Sequence, residues 1–340
     1  MKNKKVFIIA EVGPNHNGSF KFAKKYIYLL AESGVDAIKF QLSHPEIALS
    51  KDSIRAAYEK KAKGFKKDSD ILNEVKKRQL TLKEHKKLAE LCKKKGLEYM
   101  CSAFDIKSLK FLNTNLKIKK NKLPSGEIFS IDMLKFLNKT KKTLILSTGM
   151  SSLTEIEQSL KYLRLIKKKI ILLHCISNYP TYEKDLNLRS MIKLKEKFNC
   201  EVGLSDHTLG DLAPILAVGM GASVIEKHVT INKKLTGPDH KNSMTVNEFK
   251  NLVKKIRNAE KVLGKSNKQI SLKEKKIAKV ARKSIISKSD LYPGEKITLK
   301  KICFKRPGTG ILPIDFKKIM NKKVKKFIEK DKLILKNNLY

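Results

Sequence analysis

The chain has 340 residues and a formal net charge of +42, from 75 Lys and Arg against 33 Asp and Glu. Hydrophobic residues make up 41% of it, which is typical of a globular protein and excludes a disordered one. No apolar run approaches the roughly 20 residues of a membrane helix, and the five cysteines form no C-x-x-C pair. We therefore expect a reduced, cytoplasmic protein without membrane spans.

The charge alone suggests a nucleic-acid-binding module. However, only seven of the basic residues are Arg, the side chain best suited to phosphate and base recognition. We predict no specific nucleic-acid binding and keep such a module as the non-enzyme alternative.

Short apolar runs alternate with longer Lys-rich amphipathic stretches over residues 1–264. The runs predict eight strands: Val6–Val12, Ala37–Gln41, Leu97–Ser102, Lys117–Pro124, Thr143–Thr148, Ile170–Cys175, Glu201–Leu204 and Ala222–His228. The stretches between them predict helices, among them Phe20–Ser33, Thr81–Lys95, Leu153–Lys168 and Glu183–Phe198. Eight strand–helix units in about 250 residues favour a (β/α)8 TIM barrel, an α/β fold, over an open sheet.

Two segments depart from this alternation. The polar, charged stretch Lys51–Arg78 fits no barrel helix and predicts an inserted loop or lid over the second strand. After residue 264 we expect a Lys-rich linker over residues 265–280 and then a small β-rich domain over residues 281–340. Its short strand-like pieces are separated by Gly and Pro turns.

Polar residues follow every predicted strand at its carboxyl end, where a TIM barrel has its active site. Lys39 and Lys122 stand there, a costly place for an unpaired ammonium, and Ser125, Ser147 and Ser205 add hydroxyls. Two ammonium groups among hydroxyls suit a phosphate or carboxylate. The alternative is that each lysine pairs with a nearby Glu and fills the barrel core.

The last two strands of the barrel predict a metal site. His207 and His228 end adjacent strands, and two imidazoles with carboxylates or water suit a divalent ion. Asp239 follows the eighth strand and could reach the same ion, and Glu11 is a candidate ligand or acid/base. Arg306 stands in a turn, in a chain whose basic residues are almost all Lys. The choice of Arg suggests recognition of a carbonyl or carboxylate there; the alternative is an ordinary surface Arg.

At these residues the chain resembles the sialic acid synthase family, which includes N-acetylneuraminate, legionaminate and pseudaminate synthases. The motifs that carry the resemblance are Glu11-Val-Gly-Pro-Asn-His-Asn-Gly18, Lys39-Phe-Gln41, Pro124-Ser-Gly-Glu127, Leu146-Ser-Thr-Gly-Met150, Gly203-Leu-Ser-Asp-His-Thr208, Glu226-Lys-His228, Gly237-Pro-Asp239 and Lys305-Arg-Pro-Gly-Thr-Gly310. Each motif is short, but eight in order are highly specific.

The resemblance implies a barrel followed by a small SAF (antifreeze-like) domain. It also implies an enzyme that condenses phosphoenolpyruvate with an N-acylated aminohexose and water and releases phosphate. We favour N-acetylmannosamine as the acceptor, with a 2,4-diacetamido-6-deoxyhexose as the alternative. Another barrel lyase or aldolase is the rival enzyme.

The resemblance also assigns roles by motif. It implies that phosphoenolpyruvate is bound by Lys39, Lys122, Ser125, Ser147, Ser177 and Ser205. It implies that the sugar site contains Glu11, Gln41, Glu127, Tyr179 and Asp239, and that Mn²⁺ or a similar ion is bound by His207 and His228. Glu11, His207, His228 and Asp239 are the expected catalytic set. A homodimer is implied in which the SAF domain of one chain covers the other's barrel, so that Arg306 contacts the N-acyl group.

Overall fold

Eight parallel strands close into a barrel in the computed structural model, which describes residues 5–54, 57–60 and 71–340. The strands are β1 (Phe7–Glu11), β2 (Ala37–Leu42), β3 (Glu98–Ala103), β4 (Lys120–Leu123), β5 (Thr143–Ser147), β6 (Ile170–Cys175), β7 (Glu201–Asp206) and β8 (Val224–Thr230). Each strand pairs with the next, and β1 pairs with β8. A two-residue strand, β9 (Met244–Thr245), pairs in parallel with the end of β8. The predicted TIM barrel is confirmed.

Helices follow the strands along the chain. They are α1 (Phe20–Leu30), α2 (Pro45–Ala48), α3 (Ala57–Lys60), α4 (Ile71–Lys77), α5 (Leu82–Lys94), α6 (Ile106–Thr114), α7 (Ile131–Thr140), α8 (Leu153–Leu160), α9 (Glu183–Leu186), α10 (Ser190–Phe198), α11 (Leu212–Gly219) and α12 (Val246–Leu263). The predicted capping box of α5 is present, with the Glu84 amide donating to Thr81 Oγ1 over 3.2 Å. No helix among the described residues is long and apolar enough to span a membrane.

Two helix predictions need correction. Leu153–Lys168 is not one α-helix, because α8 ends at Leu160 and the chain continues as a 3₁₀ helix with non-helical angles at Leu163. Glu183–Phe198 divides into α9 and α10, because Asn187 adopts a left-handed conformation (φ 51°) that an α-helix cannot include.

The apolar core has two layers because successive side chains of a strand point to opposite faces. Inside the barrel lie Ile9, Met100, Ile145 and Leu173. Between the barrel and its helices lies a larger cluster that includes Phe40 and Phe249. Fully burying one such side chain contributes roughly 1.5–3 kcal/mol, so this outer layer holds the helices against the strands.

The predicted insert Lys51–Arg78 is described only in part, since residues 55–56 and 61–70 lie outside the described residues. Its described parts include α3 and α4. A Cβ at Gly18 would lie 2.2 Å from the carbonyl oxygen of Lys77, so the loop after β1 closely approaches the end of α4. Gly18 also has a positive φ of 73°, which glycine adopts without strain.

Residues Lys265–Tyr340 form a second compact unit. It contains α13 (Leu272–Ala281) and the antiparallel strands β10 (Ser284–Ser287) and β11 (Ile302–Lys305). Further bridges such as Lys296–Lys323 join its short extended pieces around a core of Ile, Leu and Val side chains. The stretch that we expected to be a linker, residues 265–280, thus contains most of a helix, which Ser271 and Glu274 begin with a capping box.

Candidate active site

Twelve of the predicted site residues line one cavity of about 370 Å³ at the carboxyl end of the barrel strands. They are Glu11, Lys39, Gln41, Lys122, Ser125, Ser147, Ser177, Tyr179, Ser205, His207, His228 and Asp239. Glu127 does not line it; its carboxylate instead accepts a hydrogen bond from Ser130. Arg306 belongs to the second unit, where its side chain is exposed.

Both lysines are buried, and their ammonium groups contact polar side chains on neighbouring strands. Lys39 Nζ lies 2.9 Å from Glu11 Oε2 and donates to Ser102 Oγ over 2.8 Å. Lys122 Nζ donates to Ser147 Oγ, also over 2.8 Å. Lys39 thus pairs with the Glu11 carboxylate, as the core-filling alternative supposed, and Lys122 Nζ lies 3.7 Å from Glu226 Oε1. Both lysines also line the cavity.

Glu226 is a further site residue. It stands in the motif Glu226-Lys-His228, but we assigned it no role from the sequence. Its Oε1 lies 3.6 Å from Lys39 Nζ and 3.7 Å from Lys122 Nζ, and it accepts a hydrogen bond of 3.1 Å from Ser205. The available signal was its position two residues before His228, which places both side chains on the same face of β8.

The charges of this cluster are coupled. Burial lowers the pKa of Lys122, whereas Glu11 and Glu226 outweigh burial and raise the pKa of Lys39. Burial would raise the pKa of Glu226, but Lys122 and Lys39 outweigh it and lower that pKa. For Glu11 burial prevails over Lys39 and raises the pKa. Two buried lysines therefore share one carboxylate, Glu226, and Lys39 also contacts Glu11.

Two serine hydroxyls lie close to the backbone of Gly149. The Gly149 amide donates to Ser125 Oγ over 3.0 Å. A Cβ at this position would lie 2.3 Å from Ser177 Oγ and 2.9 Å from Ser125 Oγ. Only glycine therefore lets the loop after β5 bring these hydroxyls together.

The imidazoles of His207 and His228 lie side by side, with ring centroids 5.4 Å apart, and Tyr179 stacks on His207 at 3.9 Å. His207 Nδ1 lies 2.7 Å from the carbonyl oxygen of Ile176. Because a carbonyl only accepts, Nδ1 carries the proton, and in the neutral ring Nε2 keeps its lone pair. Burial alone would lower the pKa of His207, but Cys175 beside it raises that pKa.

The donor set at this pair fits a divalent ion. His228 Nδ1 is buried without a hydrogen-bond partner and lies 3.4 Å from Asp239 Oδ2. Burial and the nearby His207 and lysines lower the pKa of His228 well below its ordinary value, which keeps it neutral as a ligand must be. No group of three or more His, Cys, Asp or Glu side chains in the described ranges could hold a metal. The protein would therefore supply two imidazoles.

Carboxyl and amide side chains complete the lining of the cavity. Gln41 Nε2 donates to Glu11 Oε1 over 2.8 Å, which orients that carboxyl. Burial, with Glu11 and Glu59 nearby, raises the pKa of Asp239 to about 7. Glu59, from α3 in the insert, also lines the cavity, a contribution that the sequence analysis did not identify.

A barrel with a ring of polar groups at its carboxyl end defines an enzyme-type site, and comparison with known proteins gives its family. The NeuB family model matches residues 26–268, and the SAF domain model matches residues 282–339. The chain belongs to the NeuB family.

Relatives extend over nearly the whole chain. An N,N'-diacetyllegionaminic acid synthase of Legionella pneumophila is 42% identical over 94% of this chain and 90% of its own. Another from Campylobacter jejuni is 40% identical over 97% of this chain and 99% of its own. A solved structure of N-acetylneuraminic acid (sialic acid) synthetase from Leptospira borgpetersenii, in complex with citrate, is 33% identical. It has a TM-score of 0.72 and matches 81% of this chain and 90% of that chain.

Proposed function

We propose that this protein is a sialic-acid-type synthase that condenses phosphoenolpyruvate with the open-chain form of an N-acylated aminohexose and releases phosphate. The observation that carries the proposal is the single cavity in which Lys39, Lys122 and serine hydroxyls stand beside the His207–His228 pair. Named relatives at 42% and 40% identity support the same reaction class.

Different residues of the cavity bind the substrate and transfer the proton. Lys39 and Lys122, with Ser125, Ser147, Ser177 and Ser205, hold the phosphate and carboxylate of phosphoenolpyruvate. Their positive charge stays in place as C3 attacks the aldehyde carbon, water adds at C2 and phosphate departs. Glu11, oriented by Gln41 and with a raised pKa, handles the proton of the attacking water.

His207 and His228 would hold a divalent ion, which we propose to be Mn²⁺. Such an ion would polarise the aldehyde carbonyl as a Lewis acid. Asp239 and Tyr179 border this pair and the sugar end of the cavity, so they would orient the acceptor. We also propose a homodimer in which Arg306 of one chain contacts the N-acyl group bound in the other, with Glu127 supporting the sugar site.

The named relatives favour our alternative acceptor over N-acetylmannosamine. Two legionaminic acid synthases are 40–42% identical to this chain, against 33% for the sialic acid synthetase structure. We therefore propose a 2,4-diacetamido-6-deoxyhexose as the acceptor.

Phosphate release from phosphoenolpyruvate tests the proposal. The protein is incubated with Mn²⁺ and either N-acetylmannosamine or a 2,4-diacetamido-6-deoxyhexose, with a chelator control and the His207→Ala variant. We expect metal-dependent release that is fastest with the diacetamido sugar and absent in the variant. Cleavage or condensation without phosphoenolpyruvate would instead identify a lyase or aldolase, and no release with either sugar would refute the synthase.

A further inference from the structure

Asp206 and Lys227 form a buried ion pair behind the candidate metal site. They are opposite each other in the register of β7 and β8, and their side chains are 0% and 3% exposed. Lys227 Nζ bonds Asp206 Oδ2 and also donates to the carbonyl oxygen of Thr208 over 2.7 Å. Neither residue lines the cavity, whereas their chain neighbours do.

The strand neighbours of the pair in its layer are apolar. Strand alternation turns Ser205, Glu226 and His228 towards the cavity and directs Asp206 and Lys227 to the helix layer. The other residues of β7 and β8 in that layer, Val202, Leu204, Ile225 and Val229, all belong to the apolar core. Replacing a buried ion pair by packed apolar residues is often neutral or stabilising, so stability alone does not account for this pair.

The pair holds the backbone of Thr208, the residue directly after His207. Asp206 Oδ1 accepts from the Thr208 amide over 2.9 Å, while Lys227 binds the Thr208 carbonyl. The carbonyl oxygen of His207 in turn accepts from the Thr181 amide over 2.9 Å. Lys227 also directly precedes His228 in β8, so one ion pair links the end of β7 that carries His207 to the strand that carries His228.

We propose that Asp206 and Lys227 are positioning residues that set the relative placement of the His207 and His228 imidazoles, and with it the affinity for a divalent ion. This inference rests on the proposed function. Residues that orient metal ligands from behind typically change metal affinity by 10–100-fold when they are replaced.

The test measures Mn²⁺ binding to the full chain without substrates, from the electron paramagnetic resonance signal of free Mn²⁺. The variants are Lys227→Met and the double variant Asp206→Leu/Lys227→Met, in which apolar side chains replace both partners. Lys120→Met is the matched control. Lys120 also joins neighbouring strands through an ion pair, at 2.5 Å to Glu98, but at the amino end of the barrel, where β3 and β4 begin.

We expect the Kd for Mn²⁺ to rise by about 10–100-fold in the double variant, whose thermal unfolding stays cooperative, and to change by less than about 2-fold in the control. Turnover of the double variant should recover as Mn²⁺ is raised, which a general packing defect would not show. If the double variant does not fold, Asp206→Asn, which keeps the volume of the side chain, takes its place with an expected rise of at least about 5-fold.

The outcomes distinguish failure of the positioning role from failure of the proposed function. A wild-type Kd in the folded double variant, or in Asp206→Asn, would overturn this inference and leave the proposed function standing. A wild-type protein that binds no Mn²⁺ would overturn both the metal part of the proposed function and the positioning role.

Discussion

Glu226 Oε1 lies 3.7 Å from Lys122 Nζ, and both side chains are buried at the carboxyl end of the barrel. The same oxygen lies 3.6 Å from Lys39 Nζ, so one carboxylate is shared by both lysines proposed to hold phosphoenolpyruvate. Glu226 therefore offsets the repulsion between two neighbouring ammonium groups before any anion binds.

Glu226→Gln should destabilise the protein and strengthen anion binding, because it removes the shared negative charge while keeping the shape. Lys122 would lose its carboxylate partner whereas Lys39 keeps Glu11, and leaving a buried charge without its partner costs about 3–5 kcal/mol. We expect the free energy of unfolding in urea to fall by about 3 kcal/mol, and inorganic phosphate to restore more of it than in the wild type. Unchanged stability with unchanged phosphate binding would contradict the shared-partner role.

Gly149→Ala should weaken phosphoenolpyruvate binding, because the added methyl group would lie 2.3 Å from Ser177 Oγ and displace it. We expect the KM for phosphoenolpyruvate to rise by about 10-fold, equivalent to roughly 1.4 kcal/mol, with little change in the KM for the sugar. Gly219→Ala is the matched control, since nothing lies within 4 Å of a Cβ there. Equal KM values in the two variants would show that the serines do not bind phosphoenolpyruvate.

Glu59→Ala should weaken acceptor binding selectively, because α3 brings this carboxylate to the cavity near Asp239, which we propose to orient the acceptor. We expect the KM for the acceptor to rise about 5- to 10-fold, as loss of a charged hydrogen bond would give, while the KM for phosphoenolpyruvate stays constant. Glu46→Ala, which removes an exposed carboxylate from α2, is the control. A parallel rise in both KM values would indicate a general distortion of the insert instead.

Stability should fall in mild acid because of buried histidines. Burial lowers the pKa of His85 to about 4, whereas in the unfolded chain it is ~6.5. Between these values the unfolded state binds more protons, so the free energy of unfolding decreases as the pH falls, by ~3 kcal/mol in total for this group. The pKa values of His16 and His240, lowered by burial to about 3 and about 4, add to the effect.

Urea unfolding at pH 7.5 and pH 5 measures how much the free energy of unfolding changes with pH. The variant His85→Leu/Tyr99→Phe removes both partners of the 2.6 Å contact between His85 Nδ1 and Tyr99 Oη, and it should lose less stability between the two pH values than wild type. Tyr99→Phe alone keeps the imidazole and should retain the wild-type pH dependence. An identical drop in all three proteins would rule out His85 as a contributor.

Several features of the fold were predictable because they depend on local pattern. Apolar runs such as Ile170–Cys175 mark buried strands, and the Thr81–Glu84 spacing marks a helix start. The division between α9 and α10 was not predictable in this way. The helical periodicity continues through it, and the left-handed conformation of Asn187 depends on how the chain packs.

The sequence by itself determined the order of the strands and the residue types at their carboxyl ends, because these follow from hydrophobic alternation and from the motifs. Only the tertiary structure decided which of these groups meet. Closing the barrel pairs β1 with β8 and sets Glu11 opposite His228, although they are far apart in the chain. It also made Glu226 the common partner of Lys39 and Lys122, because the distances between side chains across the barrel depend on the closure of the whole sheet.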